Sequence, residues 1–192
     1  TEDLVKLMSE AGCWMVYCGV ESGNQEAING IRKGITLNQF ENACRLFKKY
    51  RIKVFGLFMG FNVWENNGKL CYEGVKESLH TLNYVRKVWK QKLIDYFGFA
   101  LTIPYPKCEL WNICLKYNLI PKDIMGKWEY WAPSGNFIMQ LPDITEKDWK
   151  NIKREAFRLQ GYFLLRNIED INLSTLGFLF RNLVVFLKLR RF

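Results

Sequence analysis

One histidine stands in the 192 residues, His80, and it falls inside a helical pattern. Catalysis by a histidine base and histidine-built metal sites are therefore not expected in this chain. The six cysteines, Cys13, Cys18, Cys44, Cys71, Cys108 and Cys114, form no CxxC or CxxxCxxC cluster. Their spacing is a weak pattern for zinc. Most of them sit on apolar faces and read as buried free thiols, which fits a reducing cytoplasm better than secretion. The chain begins at Thr1 and not at Met, with a helix already under way, and no leader pattern is read in this stretch, which as a fragment's start leaves open what precedes it. It reads as a piece of a longer polypeptide. Long apolar runs are missing too. The C-terminal "STLGFLFRNLVVFLKLRRF" is interrupted by Arg181, and its unbroken stretch is too short to span a bilayer.

What is present is core-forming material. Hydrophobic residues make up 49% and aromatics 16%, which excludes a disordered chain. The net charge is +9, but Lys and Arg are spread over helix faces and the tail. A nucleic-acid partner ranks lowest, because no basic stripe alternates with stacking aromatics.

The periodicity predicts a helix over 2–12, with Leu4, Leu7, Met8 and Ala11 on one face, and a buried strand over 14–20. A short helix follows over 25–31. "TLNQ" then supplies a capping box, Thr36 with Gln39, for a helix whose stripe is Phe40, Ala43, Cys44 and Phe47. A second strand is expected over 53–61. A polar loop, "NVWENNG", leads to a helix over 70–89 with Val75, Leu79, Leu82 and Val85 inward. A third strand over 96–103 ends at Pro104-Tyr105-Pro106, and a helix spans 109–117. Residues 118–144 read as an ordered aromatic loop. Thr145 with Asp148 opens another helix, with Trp149, Ile152, Ala156, Phe157 and Leu159 inward. Strand and helix thus alternate three times, in units of about forty residues, the pattern of parallel βαβ units. The expected fold is α/β: the C-terminal part of a partial (β/α)6 TIM-like barrel with parallel strands, followed by C-terminal helices. Its expected divisions are 1–120 (half-barrel), 121–144 (aromatic covering loop) and 145–192 (helical extension). Chemistry in such folds gathers beyond the C-terminal strand ends. Those ends are Glu21-Ser22-Gly23, Gly60-Phe61-Asn62 and residues 102–106.

"GVESGNQEAINGIRKGIT" closely resembles the "GIESG" strand end of radical S-adenosylmethionine enzymes. "VFGLFMGF" is similar to the following strand of that fold, and "TIPYPKCELW" to its "TPYPGTEL" strand end. "TEDLVKLMSEAGC" resembles the helix before them, and the similarity runs over residues 2–119. It is nearest to the cobalamin-binding branch, which includes methyltransferases and the anaerobic magnesium-protoporphyrin ester cyclase. The resemblance implies S-adenosylmethionine, a 4Fe–4S cluster whose CxxxCxxC ligands lie upstream of this chain, and an upstream cobalamin domain. It also implies an electron donor such as flavodoxin or ferredoxin. The reaction expected is generation of a 5′-deoxyadenosyl radical, or methyl transfer to an unactivated carbon. Two departures stand out. The usual G-x-P-x-E becomes Gly60-Phe61-Asn62-Val63-Trp64-Glu65, and Lys107 replaces a glycine.

The roles that follow fall on named residues. Glu21 is suited to accept hydrogen bonds from ribose hydroxyls, with Ser22 beside it and Gly23 allowing close backbone approach. A helix-terminal charge is the alternative for Glu21. Lys33 reads equally as a partner for the methionine carboxylate or as a solvated lysine. Gly56, Phe58, Met59 and Gly60 flank the adenine, and Thr102 and Pro104 close the opposite rim. Phe58 reads as well as plain strand packing. Trp128, Tyr130, Trp131 and Phe137 suit a flat or lipid-like small-molecule substrate, or form a local aromatic core. No metal ligand is assigned. The competing reading of the whole chain is a noncatalytic barrel scaffold or binding module without the cluster segment. The C-terminal basic apolar segment is expected as a helix packed on the barrel, with a membrane-surface helix, and so peripheral membrane contact on a cytoplasmic protein, as the lesser reading.

Overall fold

The computed structural model describes residues 1–127, 131 and 138–166. Three parallel strands form one sheet: β1 (Met15–Glu21), β2 (Lys53–Gly60) and β5 (Tyr96–Leu101), in the order β1-β2-β5. The architecture is mixed α/β with an open sheet, and no closed barrel forms among the described residues. Two helices, α2 (Gln25–Gly30) and α3 (Leu37–Lys49), connect β1 to β2, and α4 (Val75–Lys90) connects β2 to β5. The helices α1 (Glu2–Glu10), α5 (Glu109–Lys116) and α6 (Glu146–Arg166) complete the described chain. None of the described helices is long and apolar enough to cross a membrane.

Local chemistry explains most boundaries. Thr36 and Gln39 form the expected reciprocal cap of α3. The Asn24 side chain accepts the Glu26 N–H at the start of α2. The Thr145 hydroxyl accepts the Asp148 N–H, and the Asp148 carboxylate accepts the Thr145 N–H, at the head of α6. Asp95 ties the opposite end of the sheet together, because its carboxylate accepts the Val54 N–H at 2.7 Å and pairs with Lys48 of α3.

Among the described residues, the sheet is packed on one face only. Val20, Val54, Phe58 and Phe97 point into a core completed by Phe40 and Cys44 of α3, Leu82 and Val85 of α4, and Ala156, Leu159 and Phe163 of α6. On the other face, Tyr17, Phe55 and Tyr96 stand in a row, with ring centroids 4.8 and 6.2 Å apart. Tyr17 is 66% exposed there. A second core gathers around α5: Phe61, Val63, Ile113, Leu119, Trp131, Met139 and Trp149. Trp131 is thus a core residue, whereas Trp128, Tyr130 and Phe137 lie outside the described residues.

Several expectations need correction. Residues 63–72 are not a polar loop running into a helix. They form an antiparallel hairpin, β3 (Val63–Asn66) and β4 (Lys69–Tyr72), and α4 starts only at Val75. Asn67 and Gly68 make its turn with φ of 49° and 73°. An Asn-Gly pair between extended segments favours this turn because both positions require positive φ. In α1 the buried residue is Val5, while Leu4 and Leu7 are exposed. Ala43 and Leu79 also face outward, and the inner face of α4 is carried by Ser78, Thr81, Leu82, Val85 and Val88.

Candidate functional site

The three strand ends meet in a buried hydrogen-bonded network. Ser22, just beyond β1, is fully buried, and its hydroxyl donates to the Glu73 carboxylate at 2.5 Å. The Asn62 amide, beyond β2, donates to the other carboxylate oxygen at 2.7 Å. Its backbone N–H reaches the same atom at 3.3 Å. Thr102, beyond β5, places its hydroxyl 3.0 Å from the Gly60 carbonyl and 3.2 Å from the Asn62 side-chain oxygen. Asn62 also donates to the Glu21 carbonyl at 3.5 Å. Thr81 of α4 completes the set by accepting the Gly23 N–H at 3.0 Å.

Glu73 is the residue that sequence reasoning missed. It is fully buried, one residue before the Gly74 cap of α4. Burial raises its carboxyl above the ordinary value, and the hydrogen bonds from Ser22 and Asn62 oppose that rise. Glu65, the acid expected near this position, is instead on β3, where it pairs with Lys116 at 2.6 Å. The hairpin separates the second strand end from the acid that serves it. The available signal was a short one: an acid followed by Gly at the head of an amphipathic helix.

Beside this network lies a cleft of about 220 Å³. Met59, Asn62 and Thr102 contribute from the strand ends, Trp64 and Glu65 from the hairpin, and Leu110 and Ile113 from α5. Arg32 and Glu109 stand at its border, paired at 3.1 Å. The volume is below the range of about 300–1,000 Å³ usual for complete small-molecule sites, so the cleft suits a part of a ligand. The hairpin wall is set by contact: Trp64 packs so closely on Gly30 that a Cβ there would lie 2.4 Å from the indole.

Glu21 occupies a strained position. A bulge interrupts the β1–β2 register between Gly19 and Glu21, and Glu21 has φ of 69°. Its carboxylate lies over Gly19 and is bound by Lys33 at 2.7 Å. Both side chains are partly open to solvent. A non-glycine residue held in the left-handed region needs a surrounding structure that enforces it, and such positions concentrate at functional sites.

The sequence-predicted residues therefore divide into two groups. Met59 and Thr102 line the cleft, whereas Glu21 and Lys33 form a partly exposed ion pair over Gly19 and are not among the residues that line it. Ser22, Gly23, Gly56 and Gly60 face inward. The Ser22 hydroxyl is used within the network, and a Cβ on Gly23 would come within 2.6 Å of Tyr84. Cβ atoms on Gly56 and Gly60 would meet Phe58 and Phe99 at 2.7 Å each, so these glycines serve packing. Pro104 is buried. Phe58 is core, with its ring edge-on to Phe40 and Tyr84. Among the described residues, no group of three or more His, Cys, Asp or Glu is close enough to hold a metal ion. Burial pushes the Cys44 and Cys114 thiols up to about 12, and burial raises Cys18 as well, which makes them poor metal ligands.

No family model matches the sequence. The chain is similar to an uncharacterized methyltransferase of Pyrococcus horikoshii, at 29% identity over 173 residues. That alignment covers 88% of this chain and 34% of that protein, so the chain spans about one third of the length of the curated relative it matches.

Proposed function

We propose that this chain is the nucleoside-binding part of an S-adenosylmethionine-dependent enzyme, of the cobalamin-binding branch of the radical S-adenosylmethionine superfamily. One observation carries the reading. Asn62 and Thr102, from strand ends far apart in the chain, are hydrogen-bonded beside one cleft at the C-terminal edge of a parallel sheet, and Asn62 also reaches the Glu21 main-chain carbonyl at the third strand end. The methyltransferase similarity and the three strand-end motifs agree with it. Among the described residues β1 has a free edge and one sheet face is uncovered, which fits a larger, partial barrel.

In this reading the Glu21 carboxylate accepts the ribose hydroxyls and Lys33 turns to the methionine carboxylate. Met59, Trp64 and Thr102 enclose the base. Ser22, Asn62 and Glu73 hold the strand ends in place and do not touch the ligand. When bound, S-adenosylmethionine supplies the transferable methyl group or the 5′-carbon of its adenosyl group. The residues present do not fit a 4Fe–4S cluster, so its ligands are assigned to an upstream segment and no step is derived through it.

The test uses the full-length protein, purified without oxygen and reconstituted with iron. It should carry the cluster, bind S-adenosylmethionine and cleave it. Glu21→Ala should weaken binding by about 10-fold or more, the loss expected when charge-assisted hydrogen bonds are removed. A preparation with neither cluster nor cleavage would reject the radical reading. Unchanged binding in the Glu21→Ala protein would reject the site.

A further inference from the structure

At the opposite end of the sheet from the strand-end cleft, the C-terminal halves of α4 and α6 leave a groove of about 240 Å³ between them. Arg86, Trp89 and Lys90 line it from α4, and Arg158, Leu159 and Tyr162 from α6. Its charge is one-sided. Glu155 is the acid paired within it, and two guanidiniums share that carboxylate: Arg86 at 3.8 Å and Arg158 at 2.6 Å. Lys90 and, at the end of α6, Arg166 add further positive charge. Beside these cations, Tyr162 is 44% and Leu165 66% exposed. Cations and exposed apolar side chains on one helical surface are the combination that settles at a membrane interface. The sequence beyond continues the same composition, with Arg181, Lys188, Arg190 and Arg191 among apolar residues.

The aromatic rings of the groove argue against a nucleic acid. Single strands bind by stacking bases on open ring faces. Here Trp89 stacks on Phe163 at 4.6 Å and meets Tyr162 edge-on at 5.3 Å. The Arg166 guanidinium lies 5.5 Å from the Tyr162 ring centroid, over its face. The rings are engaged within the protein, whereas Arg86 and Arg158 share the single carboxylate of Glu155 and, with Lys90, leave an excess of positive charge around the groove.

We propose that the α4–α6 groove docks the chain on an anionic membrane, with a phospholipid phosphate among Arg86, Lys90 and Arg158 and with Tyr162 and Leu165 in the headgroup layer. The site is separate from the strand-end cleft and does not depend on the function proposed for it. Vesicle co-sedimentation of the 1–192 chain tests it. Phosphatidylcholine vesicles with about one third phosphatidylglycerol should bind the chain, and pure phosphatidylcholine should not. Binding should weaken as salt is raised. Each of Arg86→Gln, Lys90→Gln and Arg158→Gln should weaken it about five-fold, the value of one cation near an anionic surface. All three positions are on helix surfaces, and circular dichroism verifies their folding. Leu165→Ser should weaken binding without changing its salt dependence. Three results would overturn the proposal: equal binding to neutral vesicles; full binding by the triple Gln variant, with loss only when Lys188, Arg190 and Arg191 are neutralised; or binding of single-stranded RNA through the same three cations in preference to vesicles.

Discussion

The two faces of the parallel sheet are built from the same kinds of residue and have different fates. Along β2, Val54, Gly56, Phe58 and Gly60 are buried under helices, while Phe55, Leu57 and Met59 look to the other side. Leu57 is 38% exposed there. In one strand, alternate residues therefore do different work: one set holds the fold, and the other faces away from that core, with Met59 at its end lining the cleft. A parallel strand that is apolar on both faces ordinarily has both faces covered. The largest expected effect measures the asymmetry. Phe58→Ala removes a ring that is 1% exposed and should lower stability by about 3–5 kcal/mol. Leu57→Ala, next to it, should change stability by less than about 1 kcal/mol. Urea unfolding of both variants provides the measurement. Similar losses would mean that the second face is also packed in solution.

The strand ends form a third environment, polar and equally buried. Glu73→Ala strands the Ser22 hydroxyl and the Asn62 amide, and should cost about 2–3 kcal/mol. Glu73→Gln should lose less, since its amide supplies both a donor and an acceptor. The pH dependence has a definite sign. Burial raises the folded carboxyl above its unfolded value, so the folded state binds the proton more tightly. That contribution is present in full below the ordinary carboxylate range, and it is lost as pH rises through the raised folded value. Glu73→Gln does not titrate, so its stability relative to wild type should improve from pH 4 toward pH 7. A difference in melting temperature that stays constant over this range would contradict the account.

How much of this was legible in the sequence follows from range. The strands and the Thr36–Gln39 cap depend on neighbours within a few residues, and those were readable. The hairpin is signalled too, because Asn67-Gly68 carries its own turn preference, but the polar composition of "NVWENNG" masks it as a loop. The outward turn of Leu4, Leu7 and Leu79 was not readable: periodicity marks an apolar stripe without saying whether anything covers it. Glu73 was least accessible. Its partners, Ser22 and Asn62, are 51 and 11 residues away in the chain, and only the assembled sheet brings them together. For the same reason the glycines at 23, 56 and 60 read as ligand contacts. An absent side chain looks alike in sequence whether a helix or a nucleoside fills the space.

Gly30 sharpens the contrast between scaffold and cleft wall. It ends α2, and the Trp64 indole occupies the space where a side chain would go. Gly30→Ala should destabilise by about 1–3 kcal/mol, because the hairpin must shift to accept the methyl group. The same shift widens the cleft, so weaker ligand binding should accompany the loss of stability. Phe58→Ala gives a separate control, since a core loss at the packed face leaves the hairpin where it is. If Gly30→Ala loses stability and keeps full ligand affinity, the hairpin is not a wall of the site.

The smallest effect separates function from fold most clearly. Glu21 holds φ of 69° and pairs with Lys33 at the partly exposed end of β1. The ion pair itself contributes little, about 0–1 kcal/mol for a pair this open to solvent. The left-handed backbone costs about 1 kcal/mol in any residue with a Cβ, and glycine avoids that cost. Glu21→Ala keeps the strain and loses the pair, so it should be slightly less stable than wild type. Glu21→Gly loses the pair and the strain together, and should exceed Glu21→Ala by about 1 kcal/mol in urea unfolding. Both variants lack the carboxylate and should lose ligand affinity equally. Equal stability of the two would mean that the bulge relaxes once the carboxylate is gone, so that the side chain bends the strand. Higher stability for the glycine variant would mean that the strand is bent by the network behind it, and that the acid is carried at a position the fold alone would give to glycine.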